Sequence, residues 1–459
     1  MKKGVLLLLL LAGCTTVGPD YKRPEMPLPE DFASSNKEGT GEIPADWWKL
    51  YRDPTLDQLV ASVHSRNSDL RIAAAQVEEA EAVMRQARAA VFPEVNLNFS
   101  RTRSRVGTLT APPPVASAPL ERNDARLVAS TSFEIDFWGR VRRAGEAADA
   151  SLLGTRLTRE VVTLTLGGLT AQTYFGLRSL DAQITVLDNT IRLRRESLDI
   201  ARARAQAGLT SELDVHQAQG ALSDALVQRR EAGRQRALLE RQLAQLSGKL
   251  DLKLAGGDLF ALPVPPTPPA GLPSSLLERR PDVRAAEQTM VAANAQIGVA
   301  RAARFPAVSL TAFLGGQSAA VEDIASSGIW GLGIGVVAPL FDAGRREAVE
   351  DQAAARYRQT LASWQKSVEG AFREVSDALV NLEDTSNSED DLRARVEAAR
   401  NALELSRIRY ESGYSPYLEV LDAQRTANDA EIAFVRNRQA RLAFSVDLMR
   451  ALGGGWKNP

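Results

Sequence analysis

The sequence predicts a mainly α-helical chain that also carries four β-strands, built as two copies of one unit. Three observations carry that prediction. Asp69–Val95, DLRIAAAQVEEAEAVMRQARAAVFPEV, aligns without a gap with Asp282–Val308, DVRAAEQTMVAANAQIGVARAARFPAV, at an offset of 213. Each copy then shows stretches of strictly alternating side chains. Each afterwards runs far without a proline, none falling between Pro119 and Pro263 or between Pro339 and Pro416.

The elements follow in the same order in both copies. An Ala-rich helix stops at Phe92-Pro93 and again at Phe305-Pro306, because proline removes a helical donor and clashes with the preceding turn. In Val95-Asn96-Leu97-Asn98-Phe99-Ser100 the apolar side chains fall on one face and the polar ones on the other, the period of a strand. Leu127–Ile135 alternates through Thr131, Phe133 and Ile135, and the second copy offers Val308–Ala312 and Trp330–Val336. Two hairpins are therefore expected over about 94–136 and 307–338, with loops near 104–124 and 315–328. The row Gly331, Gly333 and Gly335 keeps the strand period and opens no helix. It therefore fits the inward face of a barrel strand better than a phosphate loop.

After each hairpin comes a helical seam. Leu166, Leu169, Thr173, Leu177, Leu180, Ile184, Leu187 and Ile191 are spaced three or four apart, as are Trp364, Val368, Phe372, Val375, Leu379 and Leu382. One helix from Val141 to Ala207 would reach roughly 100 Å at about 1.5 Å per residue. The tips align at an offset of 205, Gly208–Val215 against Gly413–Val420. The first copy thus carries eight extra residues, expected in the Pro/Ala/Ser loop Thr110–Leu120.

Four strands cannot close a barrel, and an open edge cannot face lipid because its backbone groups would lack partners. Either copies of the chain pool their strands, or the sheet packs on a soluble core. Beyond the N-terminus no run is long and apolar enough for a membrane-spanning helix.

The N-terminus reads as an export signal. Lys2 and Lys3 precede the short apolar run Val5–Leu11, and Leu11-Ala12-Gly13-Cys14 resembles a lipoprotein cleavage site, which would make Cys14 a lipid anchor. Cys14 is the single cysteine of 459 residues, so no internal disulfide is possible. A net charge of −1 gives no ground for nucleic-acid binding. His64 and His216 sit in no ligand-spaced cluster, and no nucleophile-elbow, phosphate-loop or zinc-protease motif occurs. Neither an enzyme, a metal site nor a non-covalent cofactor is expected.

Three stretches together carry a family resemblance: Cys14 followed by Gly18-Pro19-Asp20-Tyr21-Lys22-Arg23-Pro24, then Trp47–Leu56 (WWKLYRDPTL), then Arg280–Glu287 (RPDVRAAE). The chain resembles the TolC-like outer-membrane efflux lipoproteins of the NodT type. The resemblance implies a homotrimer, a twelve-stranded transmembrane β-barrel with four strands per chain, and a long α-helical periplasmic barrel below it. It implies an exit duct of a tripartite efflux pump, with a periplasmic adaptor and an inner-membrane RND transporter as partners. A protein-secretion duct and a non-conducting periplasmic coiled-coil tether are the alternatives.

On that basis the chain divides into a signal peptide 1–13, an acylated extended arm 14–54, a first repeat 55–247, a Pro/Gly-rich strap 248–273, a second repeat 274–452 and a tail 453–459. Matching motif to motif, the acidic entrance of the tunnel falls on Asp214, Glu419 and Asp422, with Tyr410 in the closing network. Asp214 and Glu419 could equally cap the helices they begin. Ser415 stands where relatives carry an arginine, so the closing lock must differ, held by Arg409 or by packing. The turns Gly208-Leu209-Thr210-Ser211 and Gly413-Tyr414-Ser415-Pro416 are the expected adaptor contacts. Trp138 and Trp330 suit membrane-interface positions, with core packing the competing account for Trp138.

Overall fold

The computed structural model describes residues 16–29, 32, 43–105, 107, 120–267 and 276–455. Cys14 and most of the Thr110–Leu120 loop lie outside them. The chain forms α1 (Pro54–Arg66), α2 (Ser68–Ala89), β1 (Glu94–Arg105), β2 (Glu121–Ile135), α3 (Arg140–Gln206) and α4 (Glu212–Leu246). The second repeat follows as α5 (Leu276–Arg279), α6 (Pro281–Ala302), β3 (Ala307–Ser318), β4 (Gly328–Val337), α7 (Arg345–Glu411) and α8 (Tyr417–Ala451). The duplication extends to helix length: α3 and α7 have 67 residues each, and α4 and α8 have 35 each. Among the described residues, no helix is long and apolar enough to cross a membrane.

The chain divides into two compact units. One holds the sheet, with residues 77–155 and 285–364 and the N-terminal residues up to 25. Its strands pair antiparallel in the order β1-β2-β3-β4, so the two hairpins join through β2 and β3 into one meander. The register sorts the side chains onto two faces. Val95, Leu97 and Phe99 stand opposite Thr131, Ala129 and Leu127. Those lie beside Ala312, Leu314 and Gly316, and the row ends at Leu332, Trp330 and Gly328. This face is apolar and bare, with Trp330 77%, Leu332 78% and Ile334 69% exposed. The opposite face carries Asn96, Asn98 and Ser100, then Ser130 and Ser132, then Ser309 and Thr311, and the glycines. There a Cβ on Gly331 would come within 2.5 Å of the Phe313 ring, so any larger residue would force that ring to shift.

The same unit seats the N-terminal segment. Val17 donates its N–H to the Trp138 carbonyl at 3.0 Å. Glu287, buried on α6, accepts from Tyr21 Oη at 2.9 Å and from Arg23 at 2.7 and 2.8 Å. Arg143 reaches Asp20 at 2.6 Å. Trp138 stacks on Phe305 at 4.6 Å and donates to the Pro306 carbonyl. That contact secures the turn from sheet to helix, so Trp138 is packed in place rather than simply presented outward.

The other unit holds residues 26–76, 156–284 and 365–459. Its core gathers Trp47, Tyr51, Leu56, Val60, Tyr174, Phe175, Leu177, Leu243, Leu259 and Val446. The arm expected to be extended as far as residue 54 departs from that here. Trp47–Tyr51 is a 3₁₀ helix with both end aromatics buried, because removing two such rings from water outweighs the cost of fixing the backbone. Over its described residues, 248–267, the strap after α4 carries no helix, and it contributes Leu259 and Leu262 to the core. It is held by a charged clasp in which Asp181 binds Arg178 at 3.0 Å and Arg236 at 2.6 Å. The two arginines in turn donate to the carbonyls of Ala255 and Leu254, both at 2.7 Å.

Candidate functional site

The free ends of the long helices bring the predicted site residues together. At both tips the chain reverses at a glycine in the left-handed region, Gly208 at φ +72° and Gly413 at φ +82°, where a side chain would be strained. Ser211 caps α4, its hydroxyl accepting from the Leu213 N–H at 3.2 Å. α8 begins after Pro416 with no side-chain cap. Neither Asp214 nor Glu419 caps its helix. Asp214 accepts from the Thr210 hydroxyl, and Glu419 pairs with Arg409 at 3.3 Å, both partners half-exposed. Asp422 pairs with Arg425 at 2.7 Å on the exposed side of α8.

Tyr410 is only 4% exposed and packs its ring on the fully buried Tyr417 at 5.4 Å. Around the pair lie Ile191, Leu198, Ala218, Leu222 and Val420. Burial raises the Tyr410 hydroxyl above its ordinary value, the Asp214 charge adds to this, and the Arg204 charge opposes it. Burial likewise pushes Tyr417 up to about 12, against the nearby Arg194 charge. The hydroxyls of Tyr410, Tyr417 and Ser415 are buried without a hydrogen-bond partner among the described residues.

Sequence reasoning missed the side chain that ties the tips together. Arg204, in the last turn of α3, donates to the Tyr410 carbonyl at 2.8 Å and to the Glu411 carbonyl at 3.3 Å. Its guanidinium also lies 4.9 Å from the centre of the Tyr410 ring. Those carbonyls lie in the last turn of α7, where the helix dipole is negative and a cation is favoured, and the Tyr410 carbonyl also accepts from the Gly413 N–H at 3.0 Å. The signal was present in the repeat: Arg204 and Arg409 stand four residues before Gly208 and Gly413. Lower down, Arg194 is buried and donates to the Ala221 carbonyl at 2.5 Å, while Gln424 reaches Ser197 at 2.9 Å, tying α3 to α4 and to α8.

Of the expected adaptor contacts, Thr210 and Ser415 are half-buried and the others are exposed. Leu209 is 70% exposed and Tyr414 80%. His216 is exposed. His64 stands edge-on to Trp48 at 5.2 Å, and burial lowers its pKa. No group of His, Cys, Asp and Glu side chains able to hold a metal occurs among the described residues.

The chain matches the family model described as "Outer membrane efflux protein" over residues 59–249 and 272–454. It is 34% identical over 475 residues to the probable efflux pump outer membrane protein SepC of Pseudomonas putida, covering 99% of this chain and 96% of that one. It is 33% identical over 466 residues to the cation efflux system protein CusC of Escherichia coli, covering 98% and 97%. Among solved structures it is similar to the outer-membrane channel OprN, with TM-score 0.89, 29% identity and coverage of 96% of this chain and 100% of that one. It is also similar to the open state of the MtrE outer membrane channel of Neisseria gonorrhoeae, with TM-score 0.85, 27% identity and coverage of 96% and 98%.

Proposed function

Since this chain belongs to the outer membrane efflux protein family and is an outer-membrane channel of an efflux pump, not an enzyme, we propose that three copies close one twelve-stranded barrel and open into a shared helical duct. The observation that carries this reading is the meander itself. Its apolar face is bare and its outer strands, β1 and β4, have open edges. Four strands per chain also let β4 of one copy meet β1 of the next antiparallel, as an even-stranded barrel requires. The duct serves a periplasmic adaptor and an inner-membrane RND transporter. Cys14 carries the acyl anchor.

In this reading the tips form the periplasmic gate. Arg204 latches the first hairpin to the end of α7 and holds Tyr410 and Tyr417 inside. Threefold repetition of Asp214, Glu419 and Asp422 crowds carboxylates at the entrance and favours cations there. Leu209 and Tyr414 offer the adaptor an apolar contact. The cargo stays open, since the similar proteins are named for toluene, cation and pyoverdine export alike.

Conductance of the purified protein in planar bilayers tests this reading. Long closed periods are expected for the parent chain, and frequent opening for Arg204→Ala. Unchanged opening in that variant would remove the latch. A protein that inserts no pore at all, in either form, would remove the duct.

A further inference from the structure

The lipid-facing row of β1 does not end where its apolar side chains end. After Val95, Leu97 and Phe99 the same face continues as Arg101, Arg103 and Arg105, all exposed. These arginines lie toward the loop end of the hairpin, away from the helices. They stand opposite Ala125, Asn123 and Glu121. Phe99 directly precedes Arg101 on this face, and the row holding Leu97 ends at the far edge of the sheet in Trp330. The vertical sequence on this face is therefore aliphatic, then aromatic, then cationic.

Such an order has a physical meaning on a surface that meets a bilayer. Aromatic rings settle at the boundary between hydrocarbon and headgroups, and the next layer outward holds the phosphates. A charged side chain there costs little, whereas at mid-membrane arginine costs about 2–4 kcal/mol. A guanidinium fork also matches a phosphate better than an ammonium does. Among the described residues Glu121 engages one of the three, pairing with Arg103 at 2.6 Å. Across the register Arg105 faces that same Glu121, whose ion pair goes to Arg103, while Arg101 faces Ala125. The polar face at the same height is different: Arg122 stands opposite Ser104 there, and Arg126 lies over the Phe313 ring at 5.1 Å.

We propose that Arg101, Arg103 and Arg105 form a binding site for the phosphate groups of the phosphorylated glycolipid that makes up the outer leaflet. The site rests on the reading of the apolar face as lipid-facing. It places β1, an edge strand, in the groove between neighbouring copies, where one headgroup could touch two chains. Three such rows would ring the barrel at headgroup height and fix its depth in the membrane.

Native mass spectrometry of the full-length protein in detergent, with lipid A added, tests both levels in one spectrum. Bisphosphorylated lipid A is expected to bind the trimer at least tenfold more tightly than its dephosphorylated form, and less tightly as salt rises. Arg101→Gln, Arg103→Gln and Arg105→Gln together should abolish that preference, while the matching lysine variants should keep most of it. Arg122→Gln, on the other face, should bind like the parent. Equal binding of the two lipids by an intact trimer would overturn the site and leave the duct untouched. So would an equal loss in Arg122→Gln, and so would binding indifferent to salt, which is read on the parent chain should a variant fail to fold. An absence of trimers with or without lipid would overturn the reading beneath it.

Discussion

The two repeats share a backbone and divide the chemistry. Their long helices match residue for residue in length, and both tips turn at a left-handed glycine. Yet the arginine four residues before each glycine does different work. Arg204 crosses to the carbonyls at the end of α7, whereas Arg409 stays within its own repeat and pairs with Glu419 in the open. The second tip buries Tyr410 and Tyr417, where the first has Ala205 and Glu212. The first helix pair has the cap at Ser211, while the second begins at Pro416 with none. A duplicated scaffold thus carries one hairpin that grips and one that is gripped.

Substitutions at matched positions should expose the asymmetry, and hydrogen exchange at the tips reads it locally. The largest contrast is expected at Tyr417. Tyr417→Ala removes a fully buried ring and should destabilise the tip by about 3–5 kcal/mol. Glu212→Ala, its counterpart on an exposed surface, should stay within about 0.5 kcal/mol. Equal protection loss at both would mean the two tips are energetically alike.

Next in size is the arginine pair. Arg204→Ala should cost about 2 kcal/mol, since it breaks charged hydrogen bonds to helix-end carbonyls and a cation–π contact. Arg409→Ala breaks a solvent-exposed pair and should cost under about 1 kcal/mol. A reversed order would move the latch to the second repeat. Smaller again is Ser211→Ala, expected to cost about 1 kcal/mol of cap energy in the first amides of α4 and nothing in α8.

The smallest effect at neutral pH is Tyr417→Phe, because the hydroxyl it removes has no partner among the described residues. Alkali should enlarge it. The folded tip holds the Tyr417 proton to about 12, while the unfolded chain releases it near 10. The native state therefore binds more protons between those values, and stability present below about pH 10 falls as pH rises toward 12. Tyr417→Phe should flatten that fall in an alkaline exchange series. An identical fall in both proteins would place the titrating group elsewhere.

Legibility in the sequence followed the range of the interaction. The strands and long helices were readable because side-chain period and the absence of proline are local properties, and the repeat fixed their order twice. The β2–β3 pairing was not readable, since it joins Leu127 to Gly316 across the whole of α3 and α4. The 3₁₀ turn at Trp47–Tyr51 was misjudged because its stability comes from a distant core, to which Tyr51 adds a hydrogen bond with Ser445 at 2.7 Å. At the tip, the acidic candidates were legible as residue types. The repeat marks the position of Arg204, four residues before Gly208, but not its role, because its partners are backbone carbonyls of the other repeat. Tyr417 belongs to no motif, and only packing sets it against Tyr410.

The claim on which the rest depends is that the sheet is one third of a barrel. Native mass of the detergent-extracted mature protein measures it most directly. Three chains per particle, each heavier than the polypeptide from Cys14 by its acyl groups, is the result expected. A lipidated single chain would contradict it, because one four-stranded meander with two open edges cannot enclose a pore.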